Sequence, residues 1–451
     1  MGVSAAATCA GAVRRAGAAL TLCSCIIVLA ITVVPHRTAY SQDIDRTVEF
    51  EDLGFTNPIN IGARPAGMAG AYVAAGNDVH MLVYNPAGLA RIKRIELSLG
   101  LQQQRSSIGL LYYGNPNSID VRDGGMDGAG LAWPLPTYQG SFTLAFGVYR
   151  VYSSVFDLHY SGVNQSTKTF DNYLVQQMGS VYSYNLGFGV DLAPTLSGGL
   201  TFFLLDGTID RLDQFDFTYL NFTPRTSVFV KEDVTGDVTG VGGRIGVQMF
   251  FHKMIIGGIT FTPPVWARVK GSGMAEITEH RDNAPDSFKQ VPVSYDDDYI
   301  LPFRLDFGAA VMFKRILLEF DFGYSDWTEA AIERKRFRNR DTLESTFREV
   351  FEYKLGAEYT FYRLPLRVRA GYAYLPYPLA YLQNDRIDDN ALTKATVERE
   401  RQLVAVGVGG LIGEVLTIDA SLSYTDGKRT TPAVEDERST YRFVLTASYR
   451  F

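Results

Sequence analysis

The chain has 451 residues, 46% apolar, 20% charged and 13% aromatic, and its 43 basic against 49 acidic residues leave a net charge of −6. So low a charge content excludes an extended disordered protein, and the acidic balance argues against a nucleic-acid binder, which needs a basic surface. The three cysteines, Cys9, Cys23 and Cys25, all sit near the N-terminus, so the body of the chain holds neither a disulfide scaffold nor a cysteine metal site.

Arg14 and Arg15 precede an apolar run from Ala16 to Val34, with a small-residue exit at Ala39-Tyr40-Ser41. This pattern predicts a secretory signal peptide over residues 1–41, cut before Gln42. The run is long enough that a retained anchor is the alternative. Cys23 and Cys25 lie too early in the run for a lipidation box, because nine apolar residues follow Cys25. Removing the leader takes away Arg14, Arg15 and Arg37 and no acid, so the mature chain is more acidic still.

Residues 42–94 do not alternate. They open acidic (Asp43, Asp45, Glu49, Glu51, Asp52) and turn rich in Gly and Ala, with an Asn85-Pro86 pair that favours a turn. A compact segment of small residues tethered to one end of a barrel can fold into its lumen as a plug.

From residue 95 onward the chain alternates with period two, the mark of strands with one apolar face. Ile95, Leu97, Leu99 and Leu101 interleave with Glu96, Ser98, Gly100 and Gln102, and Ile316, Leu318, Phe320 and Phe322 skip over Glu319 and Asp321. Fourteen strands are expected near 95–104, 128–136, 141–154, 179–191, 195–206, 237–251, 254–270, 299–313, 315–328, 347–361, 365–376, 401–412, 415–427 and 440–451. Short turns should alternate with long polar loops at roughly 105–127, 155–178, 207–236, 271–298, 329–346, 377–400 and 428–439. The sorting of connections by length suits an antiparallel transmembrane barrel better than a soluble sandwich, whose connections have no reason to sort. The last strand ends on Tyr449 and Phe451, an aromatic edge that fits the girdle of such barrels.

The fold class expected is therefore all-β, a fourteen-stranded antiparallel transmembrane barrel over residues 95–451, plugged by an N-terminal helical or irregular hatch over residues 42–94. Its inward parity is unevenly charged. The apolar side, Thr143, Ala145, Gly147, Asn185, Phe203 and Leu205 among others, is the candidate path for an apolar solute. The charged side, with Glu319, Asp321, Glu352, Lys354, Glu358, Arg367, Arg369 and Asp419, is the candidate brace between wall and plug.

The stretch Ala63-Arg64-Pro65-Ala66-Gly67-Met68-Ala69-Gly70-Ala71-Tyr72-Val73-Ala74, with Asn77-Asp78, and then Tyr84-Asn85-Pro86-Ala87-Gly88-Leu89-Ala90, resembles the hatch of the FadL/TodX family of outer-membrane hydrophobic-compound transporters. Leu301-Pro302, Tyr324-Ser325-Asp326-Trp327 and Arg369-Ala370-Gly371-Tyr372-Ala373-Tyr374 add to the likeness. The resemblance implies passive import of compounds such as long-chain fatty acids. The turn Asn85, Pro86 and Ala87 would sit against a kinked third strand near 141–154, where a gap in the wall lets the ligand leave sideways into the membrane. It also implies that Tyr449 and Phe451 form the C-terminal signal for the barrel-assembly machinery. Expected surroundings are outer-membrane lipid and lipopolysaccharide, with the chain a monomer in the outer membrane of a double-membraned bacterium. No cofactor is implied. The alternative is a FadL-like barrel serving a secretion system as a shuttle or interaction component.

Nothing nominates an enzyme. The five histidines are scattered without H-E-x-x-H spacing, and neither a phosphate loop nor a G-x-S-x-G elbow occurs. Asp296-Asp297-Asp298 has the chemistry to bind calcium or to form a solvated loop. The basic run Arg334–Arg340 has that to meet lipopolysaccharide phosphates, or to lie exposed among Glu329, Glu333 and Asp341.

Overall fold

The computed structural model describes residues 55, 59–112, 115–164, 168–221, 223–334, 339–342, 347–384, 391–394, 396–430 and 434–451. The leader, the acidic start of the plug and residues 335–338 of the basic run lie outside them.

Fourteen strands follow one another around a closed antiparallel sheet. They are β1 (Glu96–Tyr112), β2 (Asn115–Leu135), β3 (Phe142–Asn164), β4 (Thr169–Ala193), β5 (Leu196–Tyr219) and β6 (Thr226–His252), then β7 (Ile255–Thr262 continued as Val265–Arg281). Next come β8 (Ala284–Leu301 continued as Arg304–Phe313), β9 (Ile316–Asp326 continued as Ala331–Arg334) and β10 (Asn339–Thr342 with Glu349–Thr360). β11 (Leu366–Leu375), β12 (Thr396–Ile412), β13 (Leu416–Thr430) and β14 (Val434–Arg450) complete the ring. Each strand pairs with its chain neighbours, and β1 pairs with β14 from Glu96↔Arg450 to Tyr112↔Val434, so the ring closes.

The strand positions match the periodicity, but the long connections need correction. Most of the segments expected as polar loops continue the ladder instead. β1 and β2 stay paired out to Tyr112↔Asn115, β3 and β4 to Asn164↔Thr169, and β5 and β6 to Thr218↔Ser227. Backbone pairing needs no regular apolar face, so these hairpins go on as ribbons of mixed polar and apolar side chains, with Ile108, Leu110 and Tyr112 of β1 still buried. The Asp296–Asp298 run is one such stretch: it pairs with Arg268–Lys270 of β7, and Asp296 accepts from Arg268. Among the described residues no group of three or more His, Cys, Asp or Glu is placed to hold a metal ion.

The outward parity forms an apolar belt. Leu97, Leu99 and Leu101 are exposed while Glu96, Ser98 and Gln102 between them are buried, the inverse of a soluble protein. At the C-terminus Tyr449 and Phe451 face outward with ring centroids 4.8 Å apart, and the Phe451 N–H donates to the Ile95 carbonyl at 3.0 Å.

β7, β8 and β9 break at one level, at Pro263-Pro264, Pro302-Phe303 and the 3-10 turn Trp327–Glu329. Proline has no N–H for the ladder, so the wall bends there.

Residues 59–94 fill the lumen. They contain two short helices, α1 (Ala63–Gly67) and α2 (Met81–Tyr84), and a 3-10 turn, Pro86–Arg91. Almost all their side chains are buried, with Tyr72, Met68, Met81, Leu82 and Leu89 fully so. At the Asn-Pro turn the wall carries glycine because nothing larger fits. A Cβ on Gly246 would lie 2.0 Å from Asn85 Oδ1, and one on Gly199 would lie 2.2 Å from the Pro86 carbonyl carbon.

Leu186, 60% exposed in the middle of β4, tests the belt. Leu186→Arg should destabilise the barrel by about 2–4 kcal/mol in lipid vesicles, measured by denaturant titration of the folded, heat-modifiable form.

Candidate functional site

The hatch is held chiefly through its backbone. Glu319 on β9 accepts from the N–H groups of Ala74 and Ala75 at 2.6 and 3.2 Å, and Asp321 accepts from Tyr72 and Val73 at 2.7 and 3.0 Å. On the opposite wall Asp127 of β2 accepts from Gly62 N–H at 2.8 Å, Thr446 of β14 from Ala63 N–H at 2.9 Å, and Glu96 of β1 from Val79 N–H at 3.3 Å. A coil segment has few internal partners for its N–H groups, so inward carboxylates supply them.

Side chains form a second set of ties. Arg64 grips Glu358 of β10 bidentately at 3.0 and 3.2 Å, and donates to Tyr72 and Asn77. Glu358 also takes Arg369 of β11 at 2.7 Å, and Arg369 reaches Asp419 of β13 at 2.7 Å. The charged inward parity of β9–β13 is thus a brace between wall and plug. Asp127 joins the other flank, since Arg442 of β14 donates to it and to the Asn60 carbonyl.

Asn85 is the pivot of the hatch turn. Its Oδ1 accepts from Ala87 N–H at 3.1 Å, while its Nδ2 donates to the carbonyls of Val73 (2.9 Å) and Val247 (3.1 Å) on β6. Pro86 opens the 3-10 turn, and Ala87 is fully buried. The turn packs chiefly on β4, β5 and β6, where Gly189, Gly199 and Gly246 make room, and touches the third strand where Ser141 donates to the Ala90 carbonyl.

Above the hatch lies a cavity of about 340 Å³. One wall is apolar: Phe55, Tyr152, Phe203, Val265, Leu301 and Trp327 line it. These residues belong to a continuous apolar cluster that extends through Leu205, Val181, Val238 and Ile209 along β4–β8. The lining also carries Arg304, Asp306, Glu352 and Lys354, joined by ion pairs.

The sequence candidates divide between these places. Phe203 lines the cavity and Leu205 continues its apolar wall. Thr143 and Ala145 are buried under the hatch, with Thr143 Oγ1 at 3.5 Å from the Ile92 carbonyl and Ala145 packed in the cluster of Val79 and Leu82. Gly147 lies beneath the Tyr149 ring. Asn185 turns its Nδ2 onto the Ser183 carbonyl at 2.8 Å.

Between β2 and β3 the wall is split. Their ladder runs from Leu135↔Phe142 only to Gly128↔Tyr149. Beyond that point β2 stays with β1 and β3 with β4. β3 shifts register between Arg150 and Tyr152, and its Val151 carbonyl accepts from the hatch N–H of Ile59 at 3.2 Å, so the strand leans inward. Side chains replace the missing ladder. Arg150, 3% exposed, meets Asp123 of β2 at 2.7 Å and Ser180 of β4 at 2.6 Å, while Ser153 donates to Asp123 at 2.7 Å. Tyr152 and Ser153 belong both to this seam and to the cavity. Sequence reasoning did not single out Arg150, Asp123 or the cavity's Arg244. The Asp123-Gly124-Gly125 run beside an unpaired edge was the available signal for the seam.

His80 is buried against Asp78, its Nδ1 3.1 Å from Oδ1. Burial pulls the imidazole down, but the Asp78 carboxylate, with Glu96 and Asp127 beyond it, outweighs burial and raises it above its ordinary value. A raised value means that the pair's contribution is full below about pH 6.5, the unperturbed histidine value, and is lost as pH rises through the folded value. Hydrogen-exchange protection of residues 59–94, corrected for intrinsic rates, should therefore decline from pH 6 to pH 9, and His80→Gln should flatten that decline.

A family model described as "Outer membrane protein transport protein (OMPP1/FadL/TodX)" matches residues 59–451. Among solved structures, the CymD monoaromatic hydrocarbon channel superposes with a TM-score of 0.57 at 17% identity, covering 88% of this chain and 98% of its own. A Pseudomonas aeruginosa FadL homologue gives 0.61 at 15% identity, over 87% and 98%. The Pseudomonas putida toluene transporter TodX gives 0.59 at 16% identity, over 86% and 98%. At such identities the superpositions speak for the fold alone. No curated protein matches the chain. The matched model spans the lumenal segment from residue 59 and all fourteen strands, and the chain belongs to the FadL/TodX family of outer-membrane channels for hydrophobic compounds.

Proposed function

We propose that the chain passively imports apolar compounds such as long-chain fatty acids and releases them sideways, through the seam between β2 and β3, into the outer membrane. The observation that carries this reading is the loss of the β2–β3 ladder beyond Gly128↔Tyr149 beside a cavity with an apolar wall. The buried hatch stands across the axial route, so a solute in the cavity has a short lateral way out past Tyr152 and Ser153. Transfer along apolar surface keeps the solute out of water throughout, which a water-filled pore cannot do. Phe203 and Leu205 belong to that path. Thr143, Ala145, Gly147 and Asn185 shape the wall beneath it, and Asn85, Pro86 and Ala87 hold the hatch that directs it.

On the same reading residues 1–41 are a cleaved leader, 42–94 the hatch and 95–451 the barrel. The protein works as a monomer surrounded by outer-membrane lipid and lipopolysaccharide, and Tyr449 and Phe451 present its last strand to the assembly machinery. It needs no cofactor.

The mature chain has no cysteine, which makes the seam easy to lock. The side chains of Asp123 and Ser153 meet across it, so an Asp123→Cys/Ser153→Cys pair closes it when oxidised. Oxidation should slow uptake of a fluorescent dodecanoate at least tenfold, and reduction should restore it. Equal uptake by the locked and unlocked forms would remove the lateral route.

A further inference from the structure

Three neighbouring short turns, joining β6 to β7, β8 to β9 and β10 to β11, read Phe251-His252-Lys253-Met254, Phe313-Lys314-Arg315 and Phe361-Tyr362-Arg363-Leu364. Each sets aromatic rings beside a cation, and none contains an acidic residue. Short turns of such barrels face the periplasm, so these cations gather on one rim of a chain whose net charge is −6. Among the described residues none of Lys253, Lys314, Arg315 and Arg363 forms an ion pair. The rest of the rim differs. The turn from β12 to β13 carries Glu414, and residues 136–141 and 194–195, which close the other two turns, are uncharged. Lys93 and Arg94 stand at the start of β1, opposite β8 in a ring of fourteen.

The arc is held at one level. Met312 N–H donates to the Met254 carbonyl at 2.7 Å and Thr360 N–H to the Arg315 carbonyl at 2.9 Å, so each turn is tied to the next hairpin. The guanidinium carbon of Arg315 lies 4.1 Å from the centre of the Tyr362 ring, which couples the second turn to the third. Neighbouring strands are about 4.8 Å apart, which sets successive turns roughly 10 Å apart along the rim. Directly above the cations the outward face is apolar, with Phe251, Ile255, Phe313, Ile316 and Leu364 all exposed. An anion held by the turns therefore meets a surface for hydrocarbon, an arrangement that suits an amphiphile and offers nothing further to a free anion.

We propose that this arc is a binding site for anionic glycerophospholipid of the periplasmic leaflet. Its phosphate sits among Lys253, Lys314, Arg315 and Arg363, and its acyl chains run along the apolar face above them. A zwitterionic lipid brings an ammonium toward the same cations and gains less. The site lies on β6–β11, away from the seam between β2 and β3, and holds whether or not solutes leave there.

The test uses the full chain folded in phosphatidylcholine vesicles, with spin-labelled phosphatidylglycerol and phosphatidylethanolamine of identical acyl chains as probes. The motionally restricted fraction of each probe reports its hold on the barrel. Wild type should favour phosphatidylglycerol about threefold at low salt, and about 1 M salt should lower that ratio. The variant Lys253→Gln/Lys314→Gln/Arg363→Gln should bring the ratio close to one, while Lys93→Gln/Arg94→Gln keeps it near the wild-type value. Heat-modifiability of each variant reports that the barrel is intact. Equal uptake of the two probes by wild type, or an unchanged ratio in the triple variant, overturns the assignment. So does a wild type that shows no lipid preference but sediments with peptidoglycan through the same cations, which would give the arc to the cell wall.

Discussion

Every peptide group at membrane depth has to find its partner inside the protein, because lipid offers none. Ring closure through β1 and β14 meets that requirement almost everywhere. The seam beyond Gly128↔Tyr149 is the place where β2 and β3 do not meet it with each other. There the hatch N–H of Ile59 donates to the Val151 carbonyl, and Arg150, Asp123 and Ser153 bridge β2 and β3 through their side chains. Side-chain contacts can be released singly, whereas a ladder opens only cooperatively. Fastening of this kind suits the lateral route proposed above.

The same requirement explains why a channel for apolar compounds has so charged an interior. The hatch is mostly turns and short helical pieces, and its backbone donors are not used up within it. Glu319, Asp321, Asp127 and Glu96 accept them, and Arg64, Arg369 and Arg442 balance some of the resulting charge. Removing one partner of such a buried set leaves the other uncompensated, which costs several kcal/mol, roughly 3–5 for a broken buried ion pair. The carboxylates that take the plug's N–H groups lie on β1, β2 and β9, the wall from β3 to β7 gives donors to its carbonyls and to Asn85 a carbonyl acceptor, and the apolar cluster of the cavity runs along β4–β8. The two halves of the lumen have different tasks because their inward parities differ in charge.

Much of this was legible in the sequence. Alternation located all fourteen strands, since burial on one face and lipid on the other leave a period that polar interruptions do not hide. The brace was visible as charge on the inward parity of Glu319, Asp321, Glu358, Arg369 and Asp419, although only the fold pairs Glu358 with both Arg64 and Arg369. Strand length was not legible: β1 and β2 run on as ribbon to Tyr112 and Asn115, beyond the polar run Gln102–Ser107 that interrupts the period of β1. A gap beside a kinked strand near 141–154 was implied by the family resemblance and not by the residue pattern, because a register shift such as the one at Arg150 depends on how β3 meets its neighbours and not on any residue type.

Under the proposed lateral route, transport needs no energy source. A solute entering the cavity would exchange water for the surface of Phe203, Val265 and Leu301, at about 25 cal/mol for each Å² of apolar area buried. Lipid beyond the seam would offer the same gain over a larger area, so the cavity would be a waypoint provided that it does not hold its ligand too well.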